Sequence, residues 1–175
     1  EQAGCGVVGM ITNHGYLDNL TFRGMRRSLM QTFDDIYVLD LHGNVPKKET
    51  CPDGSPDNNV FGIRQGVAVA FFIKRGGKTK SDAVVRHAEL YGTRESKYTW
   101  LDKHDIKKTR WRELTPRTGS YLFIPHDESL LRMYERFLPI PDIFPVNSVG
   151  IVTARDKLCI QWTAEEMWHT VNHFA

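Results

Sequence analysis

A chain of 175 residues, 41% hydrophobic and 25% charged, has the material for one domain, or one and a fraction, with a real core. Its formal charge of +2 does not by itself establish a nucleic-acid partner. Cys5, Cys51 and Cys159 are scattered and lack CxxC spacing, so neither a disulfide framework nor a zinc site is indicated.

This cysteine usage suits a reducing, cytoplasmic setting. No apolar run approaches the roughly 20 residues that a membrane helix needs, and no signal peptide is visible. The chain does not begin with Met and enters a strand almost at once, which reads as a fragment. There are no repeats or low-complexity tracts. Basic residues cluster at Arg23/Arg26/Arg27, at Lys47/Lys48, from Lys74 to Lys80 and from Lys103 to Arg112. Taken alone, each cluster reads as a solvated face.

In chain order, Gly6 to Thr12 reads as a first strand, followed at once by Asn13-His14-Gly15-Tyr16-Leu17. Asp18 or Asn19 is placed to cap a helix over residues 20–33, because their side chains accept from free backbone N–H groups. Phe22, Met25, Leu29 and Phe33 share one face of that helix, and Arg23, Arg26 and Arg27 lie on the other. Ile36 to Leu41 is a second strand, ending at Asp40-Leu41-His42-Gly43-Asn44. The loop over residues 44–61 is rich in Pro, Gly, Asp and Asn, and a loop of that length inside a compact domain is usually functional or disordered. It closes on Asn59-Val60-Phe61-Gly62-Ile63, with an aromatic emerging just before the third strand, Gly66 to Lys74. Because these strands are apolar on both faces and separated by an amphipathic helix, they suggest an α/β sheet buried on both sides and mainly parallel.

Arg75 to Lys80 reads as an exposed turn. Ala83 to Tyr91 alternates as a further strand, antiparallel to the third, and a helix over Arg94 to Lys103 follows. Trp111 to Ser120 reads as a polar connector, and Tyr121 to Pro125 is apolar. Asp127 caps a helix presenting Leu130, Leu131, Tyr134 and Phe137, after which Pro139, Pro141 and Pro145 interrupt regular structure. Ser148 to Ile160 has room for one or two short strands. Thr163-x-x-Glu166 is a capping box that opens a last helix with Met167, Val171 and Phe174 inward.

No general catalytic signature is present: there is no GxxxxGK[ST], GxSxG, HExxH or GxGxxG. Ligands of open α/β sheets bind beyond the carboxyl ends of the strands, so Asn13 to Leu17 and Asp40 to Asn44 are the candidate pocket rims. His14 at a strand end is a candidate catalytic group, and His42 with Cys51 a still weaker metal pair. For Phe61 the bland alternative is a core plug at the strand entrance.

Four blocks carry a resemblance: Gly9-Met-Ile-Thr-Asn-His-Gly-Tyr-Leu-Asp-Asn; Thr21-Phe-Arg-Gly-Met-Arg; Ile36-Tyr-Val-Leu-Asp-Leu-His-Gly-Asn; and Asn59-Val-Phe-Gly-Ile-Arg-Gln-Gly-Val-Ala-Val. In this order they resemble the adenine-specific DNA methyltransferases of restriction–modification systems, in the subgroup that joins methylation with cleavage or a motor in one polypeptide. Ile143 to Asp156 resembles the same subgroup. The resemblance implies transfer of a methyl group from S-adenosylmethionine to the exocyclic amino nitrogen of an adenine extruded from duplex DNA. It also implies a partial Rossmann-like sheet, its back half with antiparallel last strands, over residues 1–110, and over residues 111–175 an α/β connector with the start of a target-recognition region.

The family's Gly-containing acidic cofactor motif and its Asn-Pro-Pro-Tyr (or Phe) motif are missing from this sequence. Both are expected upstream of Glu1, so this chain would hold neither the cofactor-binding nor the catalytic residues, and no metal is required. Residue by residue, the resemblance implies a base-stacking role for Phe61 and an adenine-pocket rim at Asn13, His14 and Tyr16. Arg23, Arg26, Arg27 and Arg155, with the basic residues of 103–112, are candidates for phosphate contact. The implied partners are double-stranded DNA and the rest of the methyltransferase polypeptide, with self-association through an exposed sheet edge and no membrane. A reading from another class stays open: a non-catalytic DNA-docking or scaffold module.

Overall fold

The computed structural model describes residues 4–77, 81–146 and 154–174. They form two compact units, residues 1–126 and 127–175. The first unit is a five-stranded open sheet with helices on both faces. Strand β1 (Gly6–Asn13) leads through two 3-10 turns, His14–Leu17 and Leu20–Phe22, into helix α1 (Arg23–Thr32). β2 (Asp35–Asp40), β3 (Val67–Lys74) and β4 (Val84–Glu89) follow, then α2 (Arg94–Lys103) and a short β5 (Arg112–Leu114).

The strand order is β1-β3-β2-β4-β5. β3 runs antiparallel to both of its neighbours, in register Val8↔Phe72 and Val38↔Ala70. β2 and β4 are parallel, and β5 closes the sheet antiparallel to β4. The expected α/β class with antiparallel last strands is therefore present. Two details differ: β2–β4 is the sheet's one parallel pair, and β4 lies beside β2 rather than against β3. The cause is the insertion of β3. Because it returns between β1 and β2, it leaves those two strands pointing the same way without touching, and their carboxyl ends reach the same rim of the sheet.

On one face, Ile36, Val38, Ala68, Ala70, Phe72 and Val85 pack with Met30 of α1, Tyr16, Leu17 and Phe123. On the other, Leu39, Leu41, Val60 and Val67 pack against Trp100, Leu101 and Trp111 on and after α2. Each large side chain so buried stabilises the fold by about 1.5–3 kcal/mol. β1 departs from expectation. Its apolar residues are not buried on both sides: Val7 is 66% exposed and Ile11 57%, because β1 is the edge strand of the order. Asn19 caps the 3-10 turn Leu20–Phe22 that leads into α1, accepting from Thr21 N at 2.9 Å, while α1 itself starts after Phe22 with no side-chain cap and is rotated relative to the expected face. Met25 is exposed while Arg26 points inward, fully buried.

The second unit carries α3 (Glu128–Tyr134), α4 (Ile140–Ile143), α5 (Asp156–Cys159) and α6 (Ala164–Phe174). Asp127 caps α3 as expected, accepting from Ser129 N at 2.9 Å. The Thr163–Glu166 box is reciprocal: Glu166 N donates to Thr163 Oγ1, and Thr163 N donates to Glu166 Oε2, both at 3.2 Å. Where strands are expected between Ser148 and Ile160, the described part is the helical turn α5, and residues 147–153 lie outside the described residues. Among the described residues no helix is long and apolar enough to cross a membrane.

Candidate functional site

The rim formed by the carboxyl ends of β1 and β2 carries a buried polar cluster. The chain leaves β1 through Asn13, whose side chain accepts from Gly15 N at 2.7 Å and so starts the 3-10 turn. The turn directs His14 inward. His14 Nδ1 lies 2.9 Å from Asp40 Oδ1 at the end of β2, and Nε2 lies 2.9 Å from the Asn44 side-chain amide. Since that amide donates, Nε2 accepts and Nδ1 carries the proton toward Asp40. The ring rests on the backbone of Gly66, where an added Cβ would come within 2.4 Å of it, so only glycine fits there.

His42 occupies the left-handed region at φ 52°, which is costly for a residue with a side chain. Two contacts hold it there: its backbone N–H donates to Asp40 Oδ1 at 2.9 Å, and its ring stacks on Tyr91 at 3.8 Å. Its Nδ1 lies 3.8 Å from both Asp40 Oδ2 and Glu49 Oε1, and its Nε2 lies 3.4 Å from Glu89 Oε1. Burial alone would lower the His42 pKa, but the carboxylates of Glu89, Asp40 and Glu49 outweigh it and the pKa is raised. Burial alone would raise Asp40, but the His14 hydrogen bond and the neighbouring imidazoles hold its carboxyl below the usual range.

Donor atoms of His14, Asp40 and His42 lie within 4.8 Å of one another, a set able to hold a metal ion. Both His14 nitrogens are already engaged, to Asp40 and Asn44, so as it stands the set is a self-satisfied hydrogen-bonded cluster. It lines a cavity of about 270 Å3 with Lys47, Glu49, Glu89 and Arg112. That volume falls just short of the roughly 300–1,000 Å3 of small-molecule sites.

The expected rim residues do not converge. His14 belongs to this cavity. Asn13 and Tyr16 line a different one of about 500 Å3, with Met10, Phe22, Met25 and Phe72. Tyr16 is buried, and among the described residues its hydroxyl has no partner. Arg26 is a correction to the expected phosphate contacts. It donates to the carbonyls of Tyr16 (2.7 Å), Asn19 (2.8 Å), Tyr121 (2.7 Å) and Ser120 (2.7 Å), and it is wholly enclosed. A guanidinium spent on carbonyls in the interior cannot reach a phosphate. Arg23 and Arg27 remain exposed on α1, as do Lys103, Lys107, Lys108, Arg110 and Arg112 of the first unit and Arg155 of the second.

Phe61 is 54% exposed and is not a core plug, for Val60 before it, 3% exposed, fills that place. The turn that carries it is tied down on both sides. Phe61 N donates to Asn59 Oδ1 at 2.9 Å, and Asn59 Nδ2 donates to Gln65 O at 2.6 Å.

Comparison with known proteins gives structural relatives. The chain matches, over 97% of its length, a nuclease-deletion mutant of the Type ISP restriction-modification enzyme LlaGI in complex with a DNA substrate mimic (TM-score 0.65, 25% identity, 16% of that chain). It matches the ATP-dependent Type ISP restriction-modification enzyme LlaBIII bound to DNA over 67% of its length (TM-score 0.57, 27% identity, 8% of that chain). It also shares its fold with the chain of a DrdV–DNA complex (97% of this chain, 18% of that one, TM-score 0.65, 24% identity). This chain thus spans less than a fifth of each of these proteins. No family model matches the sequence, and no curated protein does.

Sequence reasoning missed the wider cluster around His14. Glu49 comes from the long loop and Glu89 and Tyr91 from the end of β4, and nothing in the sequence foretells that these segments meet His42. It also missed β5, which pairs through Arg86↔Glu113 within a stretch too polar to read as a strand.

Proposed function

We propose that this chain is the second half of the catalytic domain of an adenine-specific DNA methyltransferase, joined to the start of its target-recognition region, within a longer restriction–modification polypeptide. The whole enzyme would move a methyl group from S-adenosylmethionine to the exocyclic amino nitrogen of an adenine extruded from duplex DNA. The observation that carries this reading is the match, across 97% of the chain, to a Type ISP enzyme in complex with a DNA substrate mimic.

The residues present do not fit the cofactor. The rim cavity is small and ringed by Asp40, Glu49 and Glu89, and the family's cofactor and catalytic motifs have no counterpart in the sequence. The contribution of this chain is to the base and the DNA. Phe61 offers an exposed aromatic face on a fixed backbone, and stacking of a base on such a face contributes on the order of 1–3 kcal/mol. Arg23, Arg27 and Arg155, with the basic residues of 103–112, would meet phosphates, which position the duplex without reading its sequence. The unpaired edge of β1 would receive a strand from the preceding part of the polypeptide.

The test is transfer of a labelled methyl group by the full-length polypeptide to mixed-sequence duplex DNA, beside a Phe61→Ala version. The expected result is incorporation into adenine that falls at least about fivefold in the variant, following the loss of a stacking contact, while cofactor binding is unchanged. A folded, cofactor-binding parent that methylates nothing but binds DNA in a steeply salt-dependent way would replace the enzyme by a docking module.

A further inference from the structure

Three consecutive backbone carbonyls lead up to Phe61, and each accepts a hydrogen bond from a side chain of α2. Lys97 Nζ donates to Asn58 O at 2.7 Å, Arg94 Nε to Asn59 O at 3.0 Å, and the Tyr98 hydroxyl to Val60 O at 2.6 Å. Residues 94, 97 and 98 stand at i, i+3 and i+4, the spacing that puts side chains on one helix face. That face reads the loop backbone as a ladder.

The ladder is anchored at its centre. Lys97 is fully buried, and its ammonium also donates to Leu41 O, just beyond β2, and to Asp57 Oδ1, both at 2.7 Å. Asp57 in turn accepts from Gly43 N at 2.6 Å and Gly92 N at 2.8 Å, so the loop, the end of β2 and the approach to α2 share one buried ion pair. On the far side of Phe61, Gly62 takes φ 66°, and an added Cβ there would lie 3.1 Å from the Arg94 guanidinium. The peptide units before Phe61 are thus held while its ring stays in solvent.

We infer that Arg94, Lys97 and Tyr98 are positioning residues: α2 pre-orders the loop so that the Phe61 ring already stands in its stacking pose when a base arrives. The inference rests on the stacking role proposed for Phe61. An aromatic on an unrestrained loop of this length would lose its backbone freedom at each encounter, and that entropy would be drawn from the stacking energy. With the backbone fixed beforehand, the contact is available in full at the step where the base is held outside the duplex.

The test is a double-mutant cycle in the full-length polypeptide, read as the single-turnover rate of methyl transfer to mixed-sequence duplex DNA. Tyr98→Phe removes one donor and keeps the ring, and Arg94→Met, at an exposed position, removes another. Lys97 is left intact, because its loss would strand Asp57 in the interior. Each single variant is expected to slow transfer about fivefold, the effect of one lost hydrogen bond, with at most a small drop in thermal stability and with cofactor affinity unchanged. In a Phe61→Ala background the same substitutions are expected to add nothing, since the group they position is gone. If Tyr98→Phe slows transfer by the same factor in both backgrounds, or in neither, the positioning role is overturned while stacking stands. If Phe61→Ala alone transfers at the unaltered rate, the stacking role fails, and the positioning role with it.

Discussion

At the scale of single residues, the two imidazoles of the rim cluster are held by opposite means. His14 is satisfied at both nitrogens, whereas His42 is held at φ 52° by its backbone N–H on Asp40 and its stack on Tyr91, with carboxylates around its ring. The raised His42 pKa has a consequence for stability. Its contribution is fully present below the unfolded value of about 6.5 and is lost as pH rises through the raised folded value. Asp40, whose folded pKa is depressed, runs the other way: its contribution is present above about pH 4 and lost as pH falls through its folded value. The cluster is therefore most stabilising in the mildly acidic window between these values. Asn tolerates the left-handed region, so His42→Asn removes the titrating ring without adding backbone strain. Thermal melts should show wild type well above His42→Asn at pH 5.5, with the gap narrowing by pH 8.5. A gap that stays constant across that range would mean that His42 does not titrate within the cluster.

At the scale of elements, α1 shows what periodicity can and cannot reveal. Its helical span, and the Asn19 cap of the 3-10 turn that leads into it, are legible because both depend on neighbours in sequence. Its facing is not, because Arg26 is drawn inward by the carbonyls of Ser120 and Tyr121, almost a hundred residues away, which no local pattern announces. Hydrophobic periodicity assigns an arginine to solvent by default, and only a ring of orphan carbonyls overturns that default. Arg26→Met would take the Arg26 donor from the carbonyls of Tyr16, Ser120 and Tyr121, at about 1–3 kcal/mol each where they are buried, while Asn19 O keeps Phe22 N. Urea unfolding should therefore show a loss of more than about 3 kcal/mol, whereas Arg23→Met and Arg27→Met should stay within about 0.5 kcal/mol. DNA affinity should show the reverse order, falling in the Arg23 and Arg27 variants through lost phosphate contacts. An Arg26→Met protein that unfolds like wild type would contradict the interior role.

At the scale of the whole molecule, the sequence carried the α/β class and the element order as far as α2, but not β5 or the helical turn α5, since apolar runs and turn residues locate the former and not the latter. It did not carry the place of β3. An apolar strand pairs equally well on either side of its neighbours, and the choice between parallel succession and insertion is made by long-range packing rather than by local pattern. That insertion leaves β1 on the outside, with Val7, Val8, Met10 and Ile11 all at least 40% exposed along an edge that no described strand covers. A long apolar edge of this kind is a template for another strand. In the proposed parent that strand comes from the preceding polypeptide, so the 175-residue chain by itself should associate through the vacant edge. Light scattering over a concentration series should show growth in mass for the 175-residue chain. An Ile11→Lys substitution places a charge on the edge strand and should hold the chain monomeric with unchanged secondary structure. A wild-type chain that stays monomeric at high concentration would mean that β1 is blunted within the chain itself. Association that survives Ile11→Lys would move the sticky surface to the second unit, where Leu138, Ile140, Trp162 and Trp168 are also exposed.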